Sequence, residues 1–145
     1  MTKEELKEYC GAEFKNIHRV VDELFSMVSP DKSEYTLLEL AAISTFLLNI
    51  YTGIENILKQ ILIFDGLNVG DSPEWHEKIL KKATEIGILP PDLFQILSGY
   101  LSFRNFFVYS YTFNIKWEKL KVLVEVMKDV LQRLRAEVQE YMETI

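Results

Sequence analysis

Arg104, Asn105, Tyr109 and Tyr111 are the residues of this chain whose types and spacing could do chemistry together. They lie in the stretch Phe103-Arg104-Asn105-Phe106-Phe107-Val108-Tyr109-Ser110-Tyr111, where a guanidinium and an amide sit among five aromatics. Arg104 is the only Arg or Lys between Lys82 and Lys116. An isolated cation in so apolar a neighbourhood needs either a structural partner or a job. Glu55, the lone acid of a long apolar segment, is the partner on offer. Glu55 itself reads most simply as a solvated charge, and otherwise as a buried partner for an arginine.

Other kinds of site are missing from the pattern. No GxxxxGK[ST] or GxGxxG loop is present to cradle phosphates. There is no HExxH and no Cys/His cluster, so a zinc site lacks ligands. The paired Glu-x-x-His motifs of a di-iron bundle are absent as well. His18 and His76, far apart in sequence, give weak support for a catalytic triad. Each reads as an exposed or capping histidine. No cofactor or metal is expected.

The elements that must position Arg104 are helical. Leu6, Cys10, Phe14, Ile17, Val21, Leu24 and Val28 recur at three- and four-residue steps, which predicts a helix over about 2–28. Thr2 with Glu5 is a capping-box start, and Ser29-Pro30 a stop. Leu40, Ile43, Leu47, Ile50, Ile54, Ile57, Ile61 and Phe64 form a second stripe. Leu37, Ala41, Phe46, Leu48, Leu58 and Leu62 widen it nearly all round. A helix of that kind, over about 34–64, belongs in the centre of a bundle or at a subunit interface. Gly53 within it suggests the close approach of another backbone.

Asp65 to Asp71 reads as a loop, after which Ser72 caps a helix with Pro73 at its first position. Lys78, Lys81 and Lys82 fall on that helix's wet face. Gly87 to Pro91 ends it. The next helix is predicted from Pro91 or Asp92 to Phe113, with Leu93, Leu97, Tyr100, Arg104, Phe107 and Tyr111 on one side. Asn114 is placed to cap a last helix whose stripe is Trp117, Leu120, Val124, Met127, Leu131, Leu134, Val138 and Tyr141. No segment alternates at period two for long enough to make a strand. The expected fold is all-α: a single domain over 1–145, an up-and-down bundle of four long helices plus one shorter helix.

Composition agrees with that. The 145 residues are 48% hydrophobic and 26% charged, with four Pro, six Gly and a single Cys10, which excludes an intrachain disulfide. The N-terminus is charged and lacks the apolar core of a signal peptide. The longest uncharged run, Leu40 to Ile54, is shorter than the roughly 20 residues of a membrane span. A soluble, cytoplasmic protein without membrane contact is expected. A net charge of -6 argues against broad, non-specific nucleic-acid binding but leaves room for a local basic patch in a cleft.

The stretch around Arg104 resembles the motif of HEPN domains of the HepT-like kind. That motif is an Arg, a polar residue next to it, and a His five positions after the Arg, often followed by x-Tyr. Arg104 matches the Arg, Asn105 the polar residue and Tyr111 the terminal Tyr, while the His position holds Tyr109. Tyr51-Thr52-Gly53-Ile54-Glu55-Asn56-Ile57-Leu58-Lys59, Ser72-Pro73-Glu74-Trp75-His76 and Asn114-Ile115-Lys116-Trp117 also resemble family segments. Together the likeness covers about residues 35–140.

The resemblance implies a toxin of a toxin–antitoxin pair, a metal-independent endoribonuclease that cuts tRNA or mRNA through attack by a 2′-hydroxyl. Arg104 would neutralise the charge developing on phosphorus. The residue at 109 would move protons, and a nucleotidyltransferase antitoxin would silence the toxin by adding AMP to Tyr111. It also implies a homodimer whose two motifs share a cleft. Residues five apart on an ideal helix point about 140° from each other, so Arg104 and position 109 need long side chains, distortion or a second copy to converge.

Tyr109 is the departure. A histidine titrates near pH 6.5, whereas a tyrosine near 10 is only about one part in a thousand phenolate at neutral pH. Tyr109 would be a poor general base, though it could donate a hydrogen bond to phosphate. The sequence leaves open an impaired or repurposed enzyme and an inactivating His-to-Tyr change. Two other readings stay beside it. One is a non-catalytic helical binding module that partners a nucleotidyltransferase. The other is a structural helical protein that oligomerises through its apolar faces. Tyr111 could equally be a core aromatic, and Asn105 an exposed helix residue.

Overall fold

A computed structural model, which describes residues 1–70 and 72–145, contains five α-helices and one 3-10 turn among them. They are α1 (Lys3–Met27), α2 (Leu37–Phe64), α3 (Trp75–Glu85), α4 (Pro91–Tyr109), the 3-10 turn Thr112–Asn114, and α5 (Trp117–Thr144). No strand occurs among the described residues. The expected bundle of four long helices and one short one is what forms.

Helix α1 buries Leu6, Cys10, Phe14, Ile17, Val21 and Leu24, the stripe its spacing predicts. Its start is the capping box of Thr2 and Glu5, with the Thr2 hydroxyl accepting from the Glu5 N–H at 3.1 Å. Helix α2 begins at Leu37 rather than near Glu34. Thr36 and Glu39 form a second capping box there, and they satisfy the first-turn amides that a start at Glu34 would have left open. Residues Ile43, Leu47, Ile50, Ile54, Ile57, Leu58, Ile61 and Leu62 are buried, and α2 packs on every other helix. It is the axle of the bundle. By length and composition α2 is also the one helix among the described residues apolar enough to cross a membrane, although the uncharged run within it is too short. Here the helix instead lends its apolar residues to the core, with the acid Glu55 buried among them.

Gly53 sits where α1 crosses α2, but a side chain makes the close approach, not a backbone. A Cβ at 53 would lie 2.5 Å from Cγ1 and 2.9 Å from Cδ1 of the buried Ile17. Gly53→Ala would ordinarily gain about 1 kcal/mol of helix propensity. Overpacking costs about 1–3 kcal/mol, so the substitution is expected to destabilise the fold. The check is the melting temperature of Gly53→Ala with and without Ile17→Ala. Removing the opposing carbons should make the two changes markedly non-additive.

Helices α2 and α3 each end at a glycine. Gly66 follows α2 at φ 78°, where the Leu67 N–H reaches the Leu62 carbonyl at 2.9 Å and the Gly66 N–H reaches Ile63 at 3.0 Å. Gly87 repeats the arrangement after α3 at φ 90°, with Ile88 donating to Ala83 and Gly87 to Thr84. Both are Schellman ends, which need a residue without a Cβ penalty at positive φ. The loop between α2 and α3 lies where composition put it, and Asp71 of that loop is outside the described residues.

Three predicted boundaries are corrected. Ser72 does not cap α3. Its carbonyl accepts from the Trp75 N–H at 3.0 Å, closing a turn over Ser72–Glu74, and α3 begins only at Trp75. Helix α4 ends at Tyr109, not Phe113, because Ser110 adopts extended geometry (φ −107°, ψ 154°) and carries the chain out of the helix. Asn114 therefore falls inside the 3-10 turn, and α5 starts after Lys116 with no side-chain cap. Along α5, Leu131 and Tyr141 are only half-buried, while Val130 and Met142 are buried. Six steps carry the buried stripe from Leu120 to Met142, close to the 3.6 period of a straight helix rather than the 3.5 of a supercoil.

Candidate functional site

Arg104 lies in the last turns of α4, half-buried, and Asn105 beside it is exposed. Its guanidinium donates to the Asn105 Oδ1 at 3.2 Å. No acid lies within salt-bridge distance of Arg104 among the described residues. The cation is thus not spent on a structural pair. Among the described residues no hydrogen bond links Tyr109 or Tyr111 to that pair. Tyr109 is the last residue of α4 and is 89% exposed. Tyr111 is 73% exposed, in extended backbone beyond the helix, and stacks on Phe113 with ring centroids 5.3 Å apart. It is not a core aromatic. The helix stripe ends before it.

Phe106, Val108, Tyr109, Tyr111 and Phe113 together leave an exposed, largely aromatic end on α4 and the turn that follows. An exposed apolar patch of this kind marks an interaction surface more often than an isolated exposed residue does.

The acid that sequence reading treated as solvated is instead buried. Glu55 is 3% exposed, and both of its carboxylate oxygens lie 2.9 Å from Nδ1 of His76. His76, expected to be exposed or capping, is mostly enclosed, with 15% of its side chain accessible. Glu55 comes from α2 and His76 from the first turn of α3, so the contact ties those helices together. Tyr51, one turn before Glu55, is fully buried, and its hydroxyl has no hydrogen-bond partner among the described residues.

Electrostatics join these groups to Arg104. Burial pushes the Glu55 carboxyl above the usual range, because a carboxylate is poorly solvated in the bundle. The His76 hydrogen bond and charge work against that shift, as do Tyr51 and the positive charge of Arg104. The Tyr51 phenol is raised too, first by burial and then by the neighbouring Glu55, while Arg104 lowers it. Arg104 therefore acts on the buried acid through space without touching it. The ring of His76 lies against Trp75, centroids 3.7 Å apart, and the Lys59 ammonium sits 4.7 Å above Trp75.

Sequence reasoning found Arg104 and Asn105 and missed the Glu55–His76 pair. The signal was present in part: Tyr51 and Glu55 are four residues apart, on one face of a largely apolar helix. The partner of Glu55 lay 21 residues on, in another helix, where periodicity says nothing.

What fold and site define is a small helical bundle whose polar groups gather where α2, α3 and α4 meet. A family model for HepT-like proteins matches residues 42–145, and the chain belongs to the HepT-like family. The match spans most of α2 and everything after it, and leaves α1 outside. No curated protein and no solved structure matches the chain significantly.

Proposed function

We propose that this HepT-like chain is the toxin component of a toxin–antitoxin pair, an endoribonuclease that needs no metal and cuts tRNA or mRNA. The observation that carries the reading is Arg104: a half-buried cation with no ion-pair partner among the described residues, hydrogen-bonded to Asn105, in a chain of this family. A guanidinium free of a carboxylate can clamp a phosphodiester and offset the charge that builds on it during displacement. The acidic chain as a whole would repel RNA, so binding depends on local positive potential around Arg104.

Two partners complete the proposal. A second copy of the chain would pack on the exposed Phe106 and Val108 of α4 and bring a second Arg104 to a shared cleft, leaving Tyr111 outside the contact. A nucleotidyltransferase antitoxin would add AMP to Tyr111, whose exposure leaves its hydroxyl accessible to such an enzyme. Tyr109, solvent-facing in the motif's histidine position, favours one other reading: a helical module that binds the nucleotidyltransferase and cuts nothing.

Purified chain incubated with tRNA and mRNA in EDTA tests the reading. Cleavage should persist in the chelator and stop when an active nucleotidyltransferase and ATP have added one adenylyl mass. That added mass should be absent from Tyr111→Phe. Stable capture of the nucleotidyltransferase with intact RNA under every condition would instead establish the binding module.

A further inference from the structure

We propose that His76, held by Glu55, is the proton-transfer residue of the Arg104 site. The inference rests on the ribonuclease reading and supplies what the motif lacks at position 109. Nδ1 of His76 faces both oxygens of Glu55 at 2.9 Å. With the proton on Nδ1 donated to that carboxylate, Nε2 keeps its lone pair, and it makes no hydrogen bond among the described residues. A carboxylate behind an imidazole also stabilises the imidazolium formed when Nε2 takes a proton.

The placement is costly unless used. An acid buried to 3% exposure inside an apolar helix is expensive to keep ionised. The bundle nonetheless spends its central helix on it and on the Tyr51 hydroxyl beside it. His76 is fixed on its other side by the Trp75 ring, and 15% of its side chain stays open to solvent. Helices α3 and α4 both pack on α2 and on each other, and the Glu55 carboxyl that His76 contacts also feels the positive charge of Arg104. Tyr109, by contrast, sits at the exposed tip of α4.

The step balances without a further reactant. Nε2 of His76 takes the proton of the ribose 2′-hydroxyl as the 2′-oxygen bonds to phosphorus and the bond from phosphorus to the 5′-oxygen breaks. The leaving oxygen takes a proton from water, and the imidazolium neutralises the hydroxide left behind. The products are a 2′,3′-cyclic phosphate and a 5′-hydroxyl end. Arg104 holds the phosphate oxygens throughout.

The test is cleavage of a single-stranded RNA oligonucleotide by the full chain and by His76→Gln, His76→Ala, Glu55→Gln and Arg104→Ala, across about pH 5 to 9. His76 contacts Glu55 of α2; Tyr51 of α2 and Arg104 of α4 act on that carboxyl, and Lys59 of α2 lies over the neighbouring Trp75 ring. His76→Gln should slow cleavage by about 10²–10⁴-fold and abolish the acid limb of the profile, while keeping its helicity and cooperative melting. Added imidazole should restore part of the activity of His76→Ala. Glu55→Gln should shift the acid limb as well as slow the reaction, because the Nδ1 partner of the ring is lost. That shift decides the matter if the His76 variants do not fold. Wild-type rate and limb in His76→Gln, with Arg104→Ala inactive, would overturn the role of His76 and leave the ribonuclease reading standing. If the full chain shows no Arg104-dependent cleavage, the ribonuclease reading falls and this proposal with it.

Discussion

Arg104→Ala is expected to slow RNA cleavage by about 10²–10³-fold, the loss that follows removal of one preorganised donor to a developing anion. The fold should hardly notice. Arg104 makes no ion pair among the described residues, and its one hydrogen bond goes to the exposed Asn105, so the stability change should stay near 0.5 kcal/mol, as for ordinary surface sites. Its charge does help keep Glu55 ionised, and without it the carboxyl should titrate still higher. Arg104→Lys separates the two duties. A point charge preserves attraction to phosphate but not the planar fork that grips two oxygens, so Lys should recover binding at low salt better than it recovers rate. Single-turnover rates and binding at two salt concentrations measure both. Equal cleavage by wild type and Arg104→Ala would remove the phosphate-binding role.

Ile57→Ala should have the opposite signature: a large loss of stability with no direct contact to the site. Ile57 is wholly buried on α2, the helix that all the others touch. Truncating it removes transfer energy and leaves a cavity in the packed core, for about 2–5 kcal/mol. For a chain of this length that corresponds to a melting temperature lowered by about 6–20 °C. Thermal unfolding followed by circular dichroism checks it. A fall of only a degree or two would mean that α2 is less central than its packing indicates.

Much of this architecture was legible in the sequence because burial on one helix face leaves a local trace. The stripe from Leu6 to Leu24 and that from Leu40 to Ile61 are the buried faces of α1 and α2. What the pattern did not reveal lay where that trace fails. Residues Phe103 to Phe113 carry aromatic side chains on every side of a helix and contain neither Gly nor Pro, so nothing in them marks Ser110 as the point where the helix stops. Ser72-Pro73 is a genuine start signal, but the chain spends it on a turn. Glu55 and His76 were each read alone, as a solvated charge and an exposed ring. Their meaning comes from the packing of α3 on α2, which brings together residues that no spacing rule connects. Of the site, Arg104 and Asn105 could be read from a short local motif, whereas the group proposed here to move the proton could not.

The early end of α4 has a thermodynamic consequence. From Ser110 to Asn114 the chain lies outside the long helices, and Tyr111 and Phe113 point mostly into solvent with each other as company. A bulky group attached to the Tyr111 hydroxyl would meet water in the folded and the unfolded chain alike. Its attachment is therefore almost uncoupled from the folding equilibrium, and thermal melting would be blind to it. A switch at this position can be thrown on the finished, folded protein and reversed without passing through an unfolded state. It would act by what it covers.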